Sequence, residues 1–351
     1  MTAVAAVVEP PQYPLELEWV DLSAYRSGNT GIDYVHSIDS GVPGHHVMVN
    51  ALTHGNELCG MLVVKRLLDM GLRLRAGRLT LSFANVAAYE SPQPWLRQAP
   101  RGGARKLGSG PAFPHDRFAP DALQARFIDR DFNRLWSDDL LARDHTTVEA
   151  RRAHAMLPVV RSVDRLLDLH STWHAVLPFF VLSRLPRVRR WADHLAVPAR
   201  QLLLPEFRHE GYHLIDYGAF ADPDASAIGL IAECGQHFAA SSAQTAWQVA
   251  IRFLQACACI SDVDAARLCP PFETPAAIAR FEIVEPVLAA SDRLRLTCSY
   301  AGFVQFSAGE VAAVDGDRLV TAPFDGAVLL APRPSPRAGQ QAFAWGRHVV
   351  D

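Results

Sequence analysis

The chain has 351 residues, 49% of them apolar and 20% charged, with 34 basic against 37 acidic side chains. That length is more than one ordinary domain needs, and the composition supplies a sizeable core without disulfide or metal staples. A near-neutral balance with no long run of one sign excludes the electrostatic footprint of a nucleic-acid or anionic-membrane partner.

In chain order, residues 1–15, with Pro10, Pro11 and Pro14, read as a flexible arm. The arm lacks the basic stretch and apolar run of a secretory signal. Residues 45–53 predict a buried strand, residues 57–70 a helix ended by Gly71, and residues 79–86 a second apolar strand. Residues 91–125 are rich in Pro, Gly and Arg and show no period. So long a structureless stretch in a compact domain is usually a functional lid or a disordered excursion. Order resumes near Phe127. A helix is predicted over 147–162, short strands over 165–169 and 179–182, a buried strand over 227–234, and an amphipathic helix over 241–262. Strands alternating with helices predict an α/β domain with a mixed, mainly parallel central sheet flanked by helices. After Pro270 and Pro271 the pattern changes to short β-rich runs at 280–287, 293–299, 302–306, 318–321 and 327–330. Residues 1–272 therefore read as the main unit and 273–351 as a small C-terminal β domain, whose free edge would suit a homo-oligomer. Residues 320–328 look like the turn of a lipoyl-like module without its lysine, which points to a structural or pocket-walling role.

No internal repeat is present, and no stretch of ~18 apolar residues predicts a membrane span. The six cysteines form no Cys-x-x-Cys pair, so free thiols in a reducing cytoplasm are expected. Lysine occurs only at Lys65 and Lys106. With the many alanines, that reads as the codon bias of a GC-rich bacterial genome.

The residues that carry chemistry gather at the C-terminal ends of predicted strands, where ligands of open α/β sheets bind. His54-Gly55-Asn56-Glu57 lies between a strand and a helix, so its imidazole and carboxylate can aim at one ion. Zinc accepts both donor types, and a catalytic site takes three protein ligands and leaves one position open. His170, at the end of Leu166-Leu167-Asp168-Leu169, is the best third ligand. Asp168, on the same strand face, would orient that imidazole or else cap a neighbouring loop. Residues 126–134 read Arg-Phe-Ile-Asp-Arg-Asp-Phe-Asn-Arg. Asn133 and Arg134 can grip a substrate carboxylate, and Arg126 can stabilise an oxyanion. The alternative is a surface segment laced with Asp–Arg ion pairs. Glu233, inside the apolar Ile231-Ala232-Glu233-Cys234, is costly to bury without a task. It would serve as general base toward a zinc-activated water, or else pair with one of those arginines.

His54-Gly55-Asn56-Glu57, Arg126 with Asp131-Phe132-Asn133-Arg134, Asp168-Leu169-His170 and Glu233-Cys234-Gly235, in that order, resemble the aspartoacylase and succinylglutamate desuccinylase family. That family is the amidohydrolase branch of the zinc carboxypeptidase-like fold. The resemblance spans about residues 45–270. It implies one zinc ion held by His54, Glu57 and His170, and a scissile carbonyl polarised by Arg126. Asn133 and Arg134 would hold the carboxylate, and Glu233 would be the acid/base. The substrate would be an N-acyl amino acid or a similar small amide. Two departures stand out. Aspartoacylase reads a side-chain carboxylate with a basic residue shortly before the Glu-bearing strand, whereas Asp222-Pro223-Asp224-Ala225-Ser226 is acidic; Arg208, His209 or His213 are the available substitutes. Aspartoacylase also brings a tyrosine from its C-terminal domain, whereas Ala342-Phe343-Ala344-Trp345-Gly346 has none, which leaves Tyr217 as the candidate. The competing readings are a metallocarboxypeptidase acting on peptides and a non-catalytic zinc- or ligand-binding protein of the same fold.

Overall fold

The computed structural model describes residues 6–11, 13–91, 126–205, 211–270, 277–333 and 335–349. Its centre is a set of strands whose near-continuous apolar sequences suit burial on both faces. These are β2 (His46–Ala51), β4 (Arg165–Thr172) and β7 (Ile228–Gln236), which follow β1 (Val35–Asp39) and flank β3 (Arg78–Phe83) in the chain. Strands β3, β2, β4 and β7 lie side by side in parallel, and β1 closes that edge antiparallel to β3. Beyond β7 come β5 (Phe179–Leu182), antiparallel to it, then β6 (Arg200–Leu203), parallel to β5. The mixed, largely parallel sheet expected from the sequence is present.

Helix α1 (Leu58–Asp69) buries Leu58, Met61, Val64 and Leu67 at helical spacing and stops before Gly71, whose φ of 59° is left-handed. A Cβ at Gly60 would lie 2.7 Å from the Leu169 Cβ, so the helix presses directly on β4. On the same face packs α6 (Ala240–Ala256), which follows α2 (Val86–Glu90), α3 (Asp138–Arg143), α4 (Val148–Val160) and α5 (Pro186–Leu195). One core lies beneath α1 and α6; a second, with Phe132, Trp136 and Met156, covers the other face.

The helix expected over 241–262 stops early, and a second helix starts where it was expected to end. Helix α6 ends at Cys257, Ala258 adopts a left-handed φ of 59°, and Ser261 caps a new helix, α7 (Asp262–Leu268), by accepting from Asp264 N at 3.1 Å. The continuous apolar spacing conceals that break. Strands β1 and β6 and helix α5 were not foreseen; α5 buries only Val188, Ala192 and Leu195 in an arginine-rich sequence. The arm is tethered rather than flexible from Val8 onward. Val8 N donates to Leu296 O at 2.8 Å, Glu16 accepts from Ala240 N at 2.8 Å, and Leu15 and Leu17 enter the main core.

The strands after residue 276 continue the central sheet. β8 (Ala279–Leu288) pairs in parallel with β6, and β14 (Gln341–Val349), β13 (Ala327–Leu330) and β10 (Val304–Phe306) follow it, antiparallel in turn. A separate three-stranded sheet holds β9 (Arg295–Leu296), β11 (Val311–Asp315) and β12 (Arg318–Thr321). This region has a core of its own, including Leu294, Tyr300, Phe306, Phe343 and Trp345. All six cysteines are unbonded thiols. Among the described residues no helix is long and apolar enough to cross a membrane. Apart from Ser91, the stretch 91–125 lies outside the described residues.

Candidate metal centre and active site

From β2 the chain turns through Thr53, His54 and Asn56 into Glu57 and α1, all of them almost closed to solvent. β3 lies on one side of β2, and the chain then crosses back to place β4 on the other side. The crevice between the ends of β2 and β4 is thus the topological switch point, the preferred ligand position of an open α/β sheet. His54 and Glu57 enter it from the β2 end, and His170 from the β4 end.

The donor atoms of His54, Glu57 and His170 lie within 4.8 Å of one another, and among the described residues no other group of three or more such donors is this close. Glu57 faces both rings: Oε1 is 2.8 Å from His54 Nδ1, and Oε2 is 2.8 Å from His170 Nδ1. Each far nitrogen also meets a carboxylate. His170 Nε2 is 2.8 Å from Asp168 Oδ2, and His54 Nε2 is 2.9 Å from Asp131 Oδ1. A neutral imidazole carries one N–H, and its partners assign which nitrogen bears it. With the aspartates accepting at Nε2, loss of the Nδ1 proton from each ring would turn two lone pairs toward the space beside the Glu57 carboxylate. Two imidazole lone pairs and a carboxylate oxygen are the donor set of a divalent cation of the zinc type. The surroundings favour positive charge. Burial alone would lower the His170 pKa, but Asp168 and Glu57 hold it well above the ordinary value. Burial would raise that of Glu57, but His54 and His170 bring it well below.

Asp168 is held in turn. Its Oδ1 accepts from Asn50 Nδ2 and Thr53 Oγ1, both at 2.8 Å. Asp131 is the residue the sequence reading missed. It sits in the quoted motif, but nothing there separates it from an aspartate in a surface ion pair. In the structure it orients His54, accepts from Asn133 N at 2.8 Å and pairs with Arg126 at 3.2 Å. Arg126 also donates from Nη1 to Glu57 Oε1 at 3.1 Å. Its guanidinium therefore belongs to the centre, not to a surface ion-pair lattice. Burial would lower its pKa, but Asp131 and Glu57 raise it above the usual value. Arg130, by contrast, turns away to Asp144 at 3.1 Å. The Asn133 Oδ1 accepts from Leu214 N at 2.8 Å, and Arg134 Nη1 donates to the Asn133 carbonyl at 2.9 Å.

A profile of the succinylglutamate desuccinylase/aspartoacylase catalytic domain matches residues 43–261, which takes in all of these side chains. The chain belongs to this family. None of the curated proteins compared with it matches. Several solved structures share its fold. One is a succinylglutamate desuccinylase/aspartoacylase from Rhodobacter sphaeroides, with a TM-score of 0.60, 15% identity, and coverage of 90% of this chain and 89% of that one. The succinylglutamate desuccinylase of Vibrio cholerae has a TM-score of 0.58 at 18% identity, covering 91% and 90%. The product-bound ectoine utilization protein of Ruegeria pomeroyi has a TM-score of 0.58 at 13% identity, covering 89% and 88%.

In this desuccinylase/aspartoacylase domain Glu233 sits beside His170 in the register of β7 against β4. The residue keeps some exposure, yet its Oε2 is enclosed and has no hydrogen-bond partner among the described residues. Burial pushes its pKa up to about 8, against the opposing pull of His170. The alternative of a Glu233–arginine pair is not what the described residues form. Four residues on, His237 is 1% exposed; Nδ1 meets Ser171 Oγ at 2.8 Å, and Nε2 has no partner among the described residues. Burial pushes its pKa down to about 3. No sequence signal singled out His237.

Tyr217 is not brought into this group. Its hydroxyl donates to Asp138 Oδ1 and accepts from Arg161 Nη2, both at 2.7 Å. The C-terminal region instead sends Tyr300 against the ring of His174, with centroids 4.7 Å apart, just past β4. Asp222–Ser226 is a largely exposed segment leading into the N-terminal end of β7. From Ile228 to Glu233 the strand rises ~17 Å. The acidity of that segment therefore faces solvent at one end of the sheet, while His54, Glu57, His170 and Glu233 lie toward the other. His213 is bound to Asp216 at 2.9 Å, and Arg208 and His209 lie outside the described residues.

Proposed function

We propose that the chain hydrolyses the amide bond of an N-acyl amino acid or a related small amide, using one zinc ion held by His54, Glu57 and His170. Two imidazoles and one carboxylate, each imidazole tied back by an aspartate, suit that ion. When bound, zinc supplies Lewis acidity that makes water a competent nucleophile near neutral pH. Glu233 takes the proton of the attacking water and delivers it to the leaving nitrogen. Arg126 stabilises the negative charge that develops on the carbonyl oxygen. Asn133 and Arg134 hold the substrate carboxylate, with the Asn133 Oδ1 already committed to Leu214 and its amide N–H₂ left to donate. Asp168 and Asp131 keep the imidazoles aligned.

The observation that carries this reading is the enclosed Glu233 Oε2, without a hydrogen-bond partner among the described residues, beside a trio whose own polar atoms are all engaged. A pure metal-binding protein has no use for a carboxylate kept in that state. The proposal assigns residues 1–272 to catalysis and 273–351 to a small β unit that walls the site, supported by the separate core of that unit and by the Tyr300–His174 contact. Six unbonded thiols suit a cytoplasmic enzyme. The test is metal analysis combined with a hydrolysis screen of N-acetyl, N-succinyl and N-formyl amino acids. Zinc near one equivalent and turnover of at least one class are expected. Zinc without hydrolysis of any class would leave a binding protein.

A further inference from the structure

Glu149 lies in the first turn of α4 and reads in the sequence as an ordinary acid favouring a helix N-terminus. Such a role needs no burial, yet Glu149 is 0% exposed. Its Oε1 accepts from Ile128 N at 2.7 Å and from Asn85 Nδ2 at 3.0 Å; its Oε2 accepts from Asp129 N at 3.1 Å and Arg130 N at 3.2 Å. Three successive backbone amides of the 126–134 loop thus end on one side chain. The loop answers in kind: Asp129 Oδ2 accepts from Val148 N at 2.7 Å, one residue before Glu149. Arg126 stands just before these amides and Asp131 just after them, and both reach the metal trio. The loop is also seated on the turn that carries the ligands, since Gly55 N donates to Arg126 O at 3.2 Å.

We infer that Glu149 is a positioning residue for the candidate centre: it clamps the loop so that Asp131 meets His54 and Arg126 meets Glu57. The inference rests on the zinc reading above. Buried amides that lose their acceptor must find another, and the loop can do so only by moving. A shift of about an ångström costs Asp131 its alignment on His54 Nε2, and groups behind a metal ligand set its affinity.

The test is zinc affinity, measured by chelator competition on the full chain well below its melting temperature. Glu149→Gln keeps the volume but turns an amide N–H₂ toward the N–H donors. It is expected to weaken zinc about tenfold, as is Asp131→Asn. Because both act through His54, the double variant should be no weaker than the weaker single one. A Glu149→Gln protein that melts lower yet holds zinc like the wild type overturns the inference, as does full additivity with Asp131→Asn. If Glu149→Gln does not fold, Glu149→Asp, which draws the oxygens back by one methylene, is measured in the same way; wild-type affinity there overturns it too. A wild-type chain that binds no zinc sinks the underlying reading and this inference with it.

Discussion

The turn from β2 into α1 and the far half of β7 each bury one glutamate of the same crevice, and they treat it in opposite ways. Around Glu57 two imidazoles, the Arg126 guanidinium and the Ser171 N–H converge, and its carboxyl is held well below the usual range. Around Glu233 the strand is apolar, Oε2 has no hydrogen-bond partner among the described residues, and burial lifts the carboxyl to about 8. Two carboxyl groups pushed apart in this way suit the proposed division of labour, one fixed as an anion and one free to exchange a proton. The difference comes from what each strand end offers. The β2 and β4 ends supply histidines and turn amides, and the 126–134 loop adds Arg126 beside them; β7 supplies mainly apolar side chains.

The strongest way to break this contrast is to remove a ligand. His170→Ala should abolish turnover and weaken zinc by more than about a hundredfold, beyond the effect of any supporting group, as read by metal analysis. If zinc stays at full occupancy, the trio is not the site. Glu233→Gln should lower kcat by about 10²–10⁴ while zinc content is unchanged. Loss of the metal in that variant would erase the distinction between the two glutamates. Asp131→Asn and Asp168→Asn should each weaken zinc by about 10–100-fold. Asp168→Asn should also lower the melting temperature more, because Asn50 and Thr53 share its Oδ1.

The smallest expected effect is on the metal-free protein. The Glu233 carboxyl is raised from 4.5 to about 8 on folding, so the folded state keeps its proton where the unfolded state has lost it. The stability this group contributes is full below 4.5 and is lost as pH climbs toward 8. Metal-free Glu233→Gln should therefore melt a few degrees above the wild type at pH 9 and show little difference at pH 4. Parallel melting curves across that window would mean that Glu233 is better solvated than its surroundings indicate.

Much of this was legible because the motifs sit at places that pattern alone reveals. A strand running into His54, a helix opening after Glu57 and an apolar run ending at His170 predict a crevice from local signals. The rest needed tertiary context. Asp131 is one acid in a segment that alternates acids and arginines, and only its contact with His54 separates it from Arg130–Asp144, two residues of similar appearance. Glu149 was concealed by a polar stretch that suits an exposed helix start, and burial of that turn depends on the 126–134 loop folding over it. Prolines alone suggest a flexible arm over residues 1–15, yet Val8 N donates to Leu296 O, a partner more than two hundred residues away. The junction at Cys257–Ala258 left no mark because apolar spacing persists on both sides of it.

The hydrogen bond from Ser171 to Glu57 closes 114 residues of chain. During synthesis the first two ligands leave the ribosome long before the third, and neither can form the centre alone. The entropy of closing so long a loop rises only slowly with its length, but it must be met before the ion finds its full ligand set. Under the proposed zinc reading, metal loading would therefore report on a finished β2–β4 pairing, and a ribosome stalled before residue 165 would expose a chain with two of the candidate donors and no site. For a cell, the proposed zinc site would tie acquisition of the ion to completion of the fold, and release of that ion would be an early sign that β4 has come away.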